Sequence, residues 1–307
     1  GWPEPNLAEL LDLVALGTVC DVVPLVGVNR AFVSQGLKVM ARRRNPGLVA
    51  LADVARVDSK LSEYHAGFLL GPRVNAGGRV GDAPLGAQLL MTQDETEATE
   101  IARRLDGYNT ERKEIEARVQ EEAMEQVESS DLSAALILAA GEDWHPGVIG
   151  IVAGRLRERF NRPAFVIGLD GDTGKGSGRS IEGVDLGSIV IAARQVGLLL
   201  NGGGHKMAAG LTVARDKLED LHAFMNERVA QDVASNEVVP TLRIDGAMAL
   251  SGVKPEFVAA LEKLAPFGSG NAEPRFAFTS VRVAKADVVG ANHVRCFLTD
   301  SSGGRLK

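Results

Sequence analysis

The chain has 307 residues, 45% of them hydrophobic and 24% charged, with a formal net charge of −6. That length supports two or three cores, and the balance excludes a disordered or collagen-like chain. No apolar run reaches the roughly 18 residues of a membrane span, no secretory leader is visible, and Cys20 and Cys296 read as two buried thiols of a reducing compartment rather than a disulfide.

In chain order, Leu7, Leu10, Leu11, Val14 and Ala15 recur at helical spacing, and Gly17-Thr18 is expected to end that helix. Helices are expected over Asn29–Arg44, from Pro46-Gly47 through Ala52, over Ser62–Leu70 (stopped by Gly71-Pro72) and over Asp82–Leu90. Glu95 to about Ser129 reads as one long helix with a possible break at Gly107, its apolar stripe including Ala98, Ile101, Leu105, Ile115 and Val119. Between Gln93 and Ser130 there are 12 acidic and 5 basic residues, a net of −7, which leaves the rest of the chain at +1. One acidic helix therefore carries the excess, and basic patches elsewhere stay open.

At Leu132 the pattern changes to buried strands at Ala134–Ala140 and Ala164–Leu169, alternating with helices at Val148–Arg159, Leu186–Val196 and Asp216–Ala234. Short strands or turns are expected at Gly174–Ser180 and Leu211–Val213. This alternation is that of an α/β domain. From Glu237 onward a strand at Leu242–Asp245, a helix at Lys254–Leu264 and alternating segments at Phe276–Asp287 and His293–Thr299 suggest the first part of a small β-barrel. The chain opens on Gly1, and a returning strand has barely begun at Arg305-Leu306-Lys307; the sequence is read as a piece of a longer protein.

Five segments can carry chemistry. Asp21, among valines just past a helix end, is either a turn aspartate bonded to nearby backbone or a metal ligand. Gly71-Pro72-Arg73-Val74-Asn75-Ala76-Gly77-Gly78-Arg79 reads as a loop whose arginines are either solvated or aimed at phosphate. His145-Pro146-Gly147-Val148 opens a helix after a strand, so His145 either caps the helix or faces an anion held there. Lys175-Gly176-Ser177-Gly178-Arg179-Ser180 is a polar hairpin tip or a phosphate contact. Gly202-Gly203-Gly204-His205 with Ala208-Ala209-Gly210 is a tight turn with a surface histidine, or a pocket for something compact and anionic. No Walker motif, Cys-x-x-Cys pair or Gly-x-Ser-x-Gly elbow accompanies them.

Along essentially its whole length the chain resembles the Asp-His-His (DHH) phosphoesterase superfamily, in its branch of bacterial single-strand-specific exonucleases. Leu13 to Leu25 is similar to the last metal-ligand motif of the catalytic domain, and Gly71–Arg79 to the arginine segment before its connecting helix. His145–Val148, Ser177-Gly178-Arg179-Ser180 and Gly203-Gly204-His205 with Ala208-Ala209-Gly210 resemble the family's DHH-associated C-terminal domain. The region after Glu237, including Pro266-Phe267-Gly268-Ser269-Gly270-Asn271-Ala272-Glu273-Pro274, resembles the family's oligonucleotide-binding (OB) barrel. The Asp-His-His triplet and its preceding aspartates are missing, and Cys20 stands where many relatives carry alanine.

The resemblance implies a multidomain α/β protein: the end of a DHH catalytic domain (1–92), a connector helix (93–131), a DHH-associated α/β substrate-binding domain (132–236) and a partial OB-fold β-barrel (237–307). It implies a 5′→3′ exonuclease of single-stranded DNA in repair and recombination, cytoplasmic and monomeric, using two Mn²⁺ or Mg²⁺ ions in the full-length parent that this piece does not retain. By the same resemblance Asp21 is a catalytic metal ligand and Arg73 a catalytic residue. Arg73, Asn75, Arg79, His145, Ser177, Gly178, Arg179, Ser180, Gly203, Gly204 and His205 would contact nucleic-acid phosphate. The alternatives are a superfamily phosphoesterase for short oligonucleotides or signalling dinucleotides, and a non-catalytic nucleic-acid-binding relative.

Overall fold

The computed structural model describes residues 4, 6–130, 133–236, 241–290, 293–301 and 303–307. The pattern changes placed at Leu132 and Glu237 lie outside the described residues. The chain forms two compact units, one made of residues 1–71 together with 241–307 and one of 72–240.

The first unit begins with a 3₁₀ turn, Leu7–Leu10, followed by α1 (Leu11–Cys20), α2 (Gly27–Met40) and α3 (Pro46–Val54). Asn45 caps α3, its Oδ1 accepting from the Leu48 N–H at 3.0 Å, with Pro46 in the first turn. Gly17 does not end α1. The helix runs on to Cys20 because it lies against α2, where a Cβ on Gly36 would come within 2.0 Å of the Leu11 carbonyl oxygen; tertiary packing outweighs glycine's propensity cost of about 1 kcal/mol. Ala15 and Leu16 are buried, but Leu7, Leu10 and Val14 of the expected stripe are exposed. Both cysteines are half-buried rather than fully enclosed. Burial still pushes the Cys20 thiol up to about 11.

Gly71-Pro72 does not stop the next helix either. His65–Leu70 is a π-helical turn, and the Gly71 N–H donates to the Ala66 carbonyl. This wider turn resets the hydrogen-bond register, so Pro72 falls in the first turn of α4 (Gly71–Val80), where its missing N–H costs little. The expected arginine loop is therefore a helix. After α5 (Leu85–Met91), α6 runs unbroken from Glu95 to Glu128, 34 residues, through Gly107. Asp94 caps it by accepting from the Thr96 and Glu97 N–H groups. Buried Ala98, Ile101, Ala102, Leu105, Val119, Ala123 and Val127 anchor it within the second unit.

That unit continues with β1 (Ile137–Glu142), α7 (Pro146–Phe160), β2 (Ala164–Asp170), β3 (Thr173–Arg179), α8 (Leu186–Gln195), β4 (Asn201–His205), β5 (Ala208–Ala214) and α9 (Leu218–Ser235). The sheet order is β1-β2-β3-β5-β4, with β1 and β2 parallel and the other neighbours antiparallel. Residues of α8 and α9 cover one face around Phe165, Ile167 and Leu211, while α6 and α7 cover Ile137, Ala139 and Val166. Gln126 of α6 pairs with both the N–H and the C=O of Ala140, closing the edge that β1 would otherwise expose.

The first unit resumes with β6 (Gly246–Ala247), α10 (Pro255–Glu262), β7 (Phe276–Ala277), β8 (Arg282–Val289), β9 (His293–Thr299) and β10 (Arg305–Leu306). Residues 242–245, expected as a strand, form none; the two-residue β6 follows them, and the expected long strand from Phe276 is interrupted at residues 278–281. Among the described residues the sheets β10-β9-β8 and β6-β7 are open, so the expected barrel is not closed. Few side chains here are buried, Leu250 being one, which leaves these strands without the two-sided packing that would extend them.

Candidate nucleic-acid interface

The glycine stretch is not a tight turn but a hairpin, β4 and β5 joined at Lys206-Met207. Strand alternation then decides which side chains share a face. Across β3, β5 and β4 the register gives three rows: Lys175–Thr212–Asn201, Ser177–Gly210–Gly203 and Arg179–Ala208–His205. The middle row is almost bare. A Cβ on Gly203 would meet nothing within 4 Å, and one on Gly210 only the Gly176 carbonyl at 3.8 Å. A smooth floor is thus bordered by a cationic row on one side and by Lys175 and Asn201 on the other.

The first turn of α7 forms the wall of this floor. Pro146 and Ile149 line an open groove of about 530 Å³ together with Lys175, Ser177, Asn201, Gly203 and Thr212. A Cβ on Gly150 would lie 2.9 Å from Ser177 Oγ and 3.0 Å from Arg179 Nη2, so the absence of a side chain there makes room for both. Arg179 Nη1 donates to Ser177 Oγ at 3.1 Å and to the Gly178 carbonyl at 2.9 Å. Arg79, at the end of α4, donates from Nη1 to the Gly147 carbonyl at 3.2 Å.

The arginines stand in one another's field. Burial, then the neighbouring Arg112, push the Arg79 guanidinium below its usual range, with Glu116 opposing. Burial, then Arg79 and Arg157, do the same to Arg179. Cations that repel each other on a partly desolvated surface gain from an arriving anion, and a phosphate offers several charge-assisted acceptors at once. Behind them, Arg112 is buried on α6, donating to Asn109 Oδ1 at 3.1 and 3.3 Å and paired with Glu116. Arg112 and Glu116 were not singled out by the sequence reading, although the spacing 109–112–116 puts them on one helix face with Asn109.

The remaining candidates divide between packed positions and exposed ones. Ser180 is fully buried and donates to the Val184 carbonyl at 2.8 Å, a packing role. Gly178 faces the core, where a Cβ would sit 2.4 Å from the Phe165 ring. Arg73 and Arg79, six apart on a helix, point to different faces, and Arg73 is paired with Asp106 at 2.8 Å with its side chain 12% exposed. Asn75, one turn before Arg79, is exposed on the same face as Arg79. His145 is the N-cap of α7: its Nδ1 accepts from the Gly147 N–H at 3.0 Å. A neutral ring in that state carries its proton on Nε2, which keeps a donor for an anion. His205 and Gly204 lie at the exposed end of β4.

Asp21, in the other unit, follows α1 and is exposed, and its carboxylate bonds to no described residue. It offers one hard oxygen ligand, which suits one coordination position of Mn²⁺ or Mg²⁺. Among the described residues no three His, Cys, Asp or Glu side chains gather into a metal cluster, and no helix is long and apolar enough to cross a membrane.

Residues 133–231 match the model of the DHHA1 domain, and 244–307 match that of the RecJ OB domain. Over its whole length the chain is 39% identical to the single-stranded-DNA-specific exonuclease RecJ of Dickeya dadantii, covering 54% of that protein. It is 36% identical to the Bacillus subtilis RecJ over 96% of the chain, covering 38% of that protein. The crystal structure of Thermus thermophilus RecJ in complex with Mn²⁺ superposes with a TM-score of 0.81 at 30% identity, over 96% of this chain and 43% of that one. The chain thus spans about half the length, or less, of the relatives it matches.

Proposed function

The chain belongs to the RecJ family of the DHH phosphoesterase superfamily, and on that premise we propose that it is the strand-gripping part of a metal-dependent 5′→3′ exonuclease of single-stranded DNA. The observation that carries this reading is the glycine-floored groove on β3, β5 and β4, bordered by Arg179 and His205 and walled by α7. Its bare floor admits a backbone closely. Arg179, Arg79, Ser177 and the Nε2 donor of His145 supply charge and hydrogen bonds for the phosphate nearest the 5′ end, with Asn75, Gly204 and His205 at the margin. Holding that phosphate fixes which bond is presented for cleavage.

In the first unit, Phe297 on β9 lies beside the Arg295 and Lys285 side chains, 5.7 and 5.9 Å from its ring centre, and both cations also pair with Asp287. An aromatic ring beside cationic side chains suits an unpaired base. A second surface of this kind favours a long strand over a dinucleotide. The reading includes the four-part division 1–92, 93–131, 132–236 and 237–307, a monomer, and cytoplasmic work in repair and recombination.

Asp21 would hold a Mn²⁺ or Mg²⁺ ion as one of several ligands. The family's Mn²⁺ and Mg²⁺ structures from Thermus thermophilus support that choice of ion. When bound, such ions supply the nucleophile and neutralise charge in the transition state. A lone carboxylate does not build that centre, so the 307-residue chain incubated with Mn²⁺ is expected not to degrade a 5′-labelled oligonucleotide; degradation well above background would refute this.

The groove is tested by fluorescence anisotropy with 5′-phosphorylated and 5′-hydroxyl single strands. The wild-type chain is expected to prefer the phosphorylated strand. Arg179→Ala should lower affinity for it by about 10–100-fold, as for loss of hydrogen bonds to a charged group, and leave the hydroxyl strand little changed. Equal affinities in wild type and variant would remove the groove from the reading.

A further inference from the structure

The turn after α1 carries a backbone conformation that its own residues do not favour. The Val22 N–H donates to the Val19 carbonyl and the Val23 N–H to the Thr18 carbonyl, both at 3.1 Å, which is the pattern of a Schellman helix end. The residue after the cap in that pattern is left-handed, normally glycine or asparagine. Here it is Val22, with φ +55° and 69% exposure, so neither chain flexibility nor burial compensates the β-branched side chain. Such a conformation persists only where its surroundings over-determine it.

Those surroundings come from about 240 residues away in the chain, within the same unit. The Leu25 N–H donates to the Ser269 carbonyl at 2.6 Å. A Cβ on Gly268 would sit 2.9 Å from the Leu25 side chain, and one on Gly270 3.2–3.3 Å from Pro24 and Val26. The loop is itself held. Asn271 Nδ2 donates to the carbonyls of Pro266 (2.8 Å) and Leu264 (3.1 Å), and Gly268 and Asn271 exchange backbone hydrogen bonds. Arg30 of α2 donates to the Leu264 carbonyl at 2.6 Å, and Glu63 Oε1 accepts from the Phe267 N–H at 3.0 Å.

We propose that the loop 264–271 is a clamp that positions the Asp21 carboxylate, with Asn271 as its positioning residue. The clamp fixes Pro24–Val26 from outside, which leaves Val22 no relaxed alternative and so sets the direction of the residue before it. Because the loop joins α10 to β7, the C-terminal region that we read as strand-binding and the carboxylate that we read as a metal ligand are tied into one mechanical body. The inference rests on Asp21 being a functional carboxylate, but its test reads the geometry of the Asp21 turn without asking what Asp21 binds.

Asn271→Ala, examined by NMR on the whole chain, is expected to speed exchange of the Leu25 amide at least about tenfold and to move the residue-22 backbone coupling off its positive-φ value, while the amides of β1–β5 keep their protection. Adding Val22→Asn, which is at ease at positive φ, should restore that backbone coupling without restoring the loop's own bonds. If Asn271→Ala does not fold, Arg30→Ala replaces it with the same two readouts. An unchanged Leu25 amide or an unchanged residue-22 coupling overturns the clamp. Failure of the metal reading would instead appear as an intact clamp around a carboxylate whose Asp21→Asn replacement leaves metal binding by a longer, complete chain untouched.

Discussion

The β3-β5-β4 face and the Asp21 turn build function in opposite ways. On the sheet every candidate group lies within one register: Ser177, Arg179, Gly203 and His205 occupy a face because alternation puts them there, and a two-layer core behind them holds the strands still. The Asp21 turn has no such frame. One exposed carboxylate sits beside a strained valine and takes its support from a loop far along the chain. Register makes a site that survives local change, whereas a clamp makes one that depends on a few distant bonds.

The glycines of the sheet offer the strongest way to break that comparison. Gly178→Ala drives a methyl group into the Phe165 ring and should cost about 1–3 kcal/mol, as for overpacking of a core, read by denaturant unfolding of the second unit. Gly203→Val adds a larger side chain where nothing lies within 4 Å, so stability should stay within about 0.5 kcal/mol. Affinity for a 5′-phosphorylated strand should nevertheless fall about tenfold as the floor is filled. Equal stability losses at the two positions would mean that the sheet does not separate packing glycines from floor glycines.

Ser180→Ala sharpens the same point at a smaller scale. It removes a buried donor to the Val184 carbonyl, so about 1 kcal/mol of stability should be lost, with strand affinity unchanged. A selective loss of affinity would return Ser180 to the interface.

The smallest expected effect lies in the unit that carries Asp21. Asp12 is buried on α1, and burial raises its carboxyl above the usual range. The folded chain then holds a proton that the unfolded chain releases first, so stability declines as pH rises from the unfolded value of about 3.9 through the raised folded one, and the cost persists above it. Asp12→Asn keeps an acceptor for the Leu13 N–H and removes that cost. The melting temperature at pH 7 should rise by about 2 °C, and the decline of stability above about pH 4 should flatten; an unchanged profile would show that water reaches the carboxylate.

Much of this was legible from residue order. The alternation of buried strands with helices from Ala134 onward, the long acidic helix and the clustering of Ser177, Arg179 and His205 in one α/β region all follow from periodicity and residue type, which act over short stretches. The errors also have local causes. Gly17, Gly71-Pro72 and Gly107 are helix breakers by propensity, and each is overridden by packing or by a register shift that no short window contains. Of the two readings of Gly202–Gly204, the tight turn reflects glycine's preferences in isolation, and pairing with β5 makes the segment a strand instead.

By itself the sequence determined the alternating helices and strands of the α/β region, the acidic and basic partition and the family likeness, because those depend on spacing and chemistry along the chain. The tertiary structure alone decided which glycines are floor and which are packing, that Arg73 is spent on Asp106 while Arg79 reaches the α7 turn, and that residues 241–307 fold onto 1–71. Those outcomes turn on contacts between segments tens to hundreds of residues apart, whose energies enter only once the chain has closed on itself.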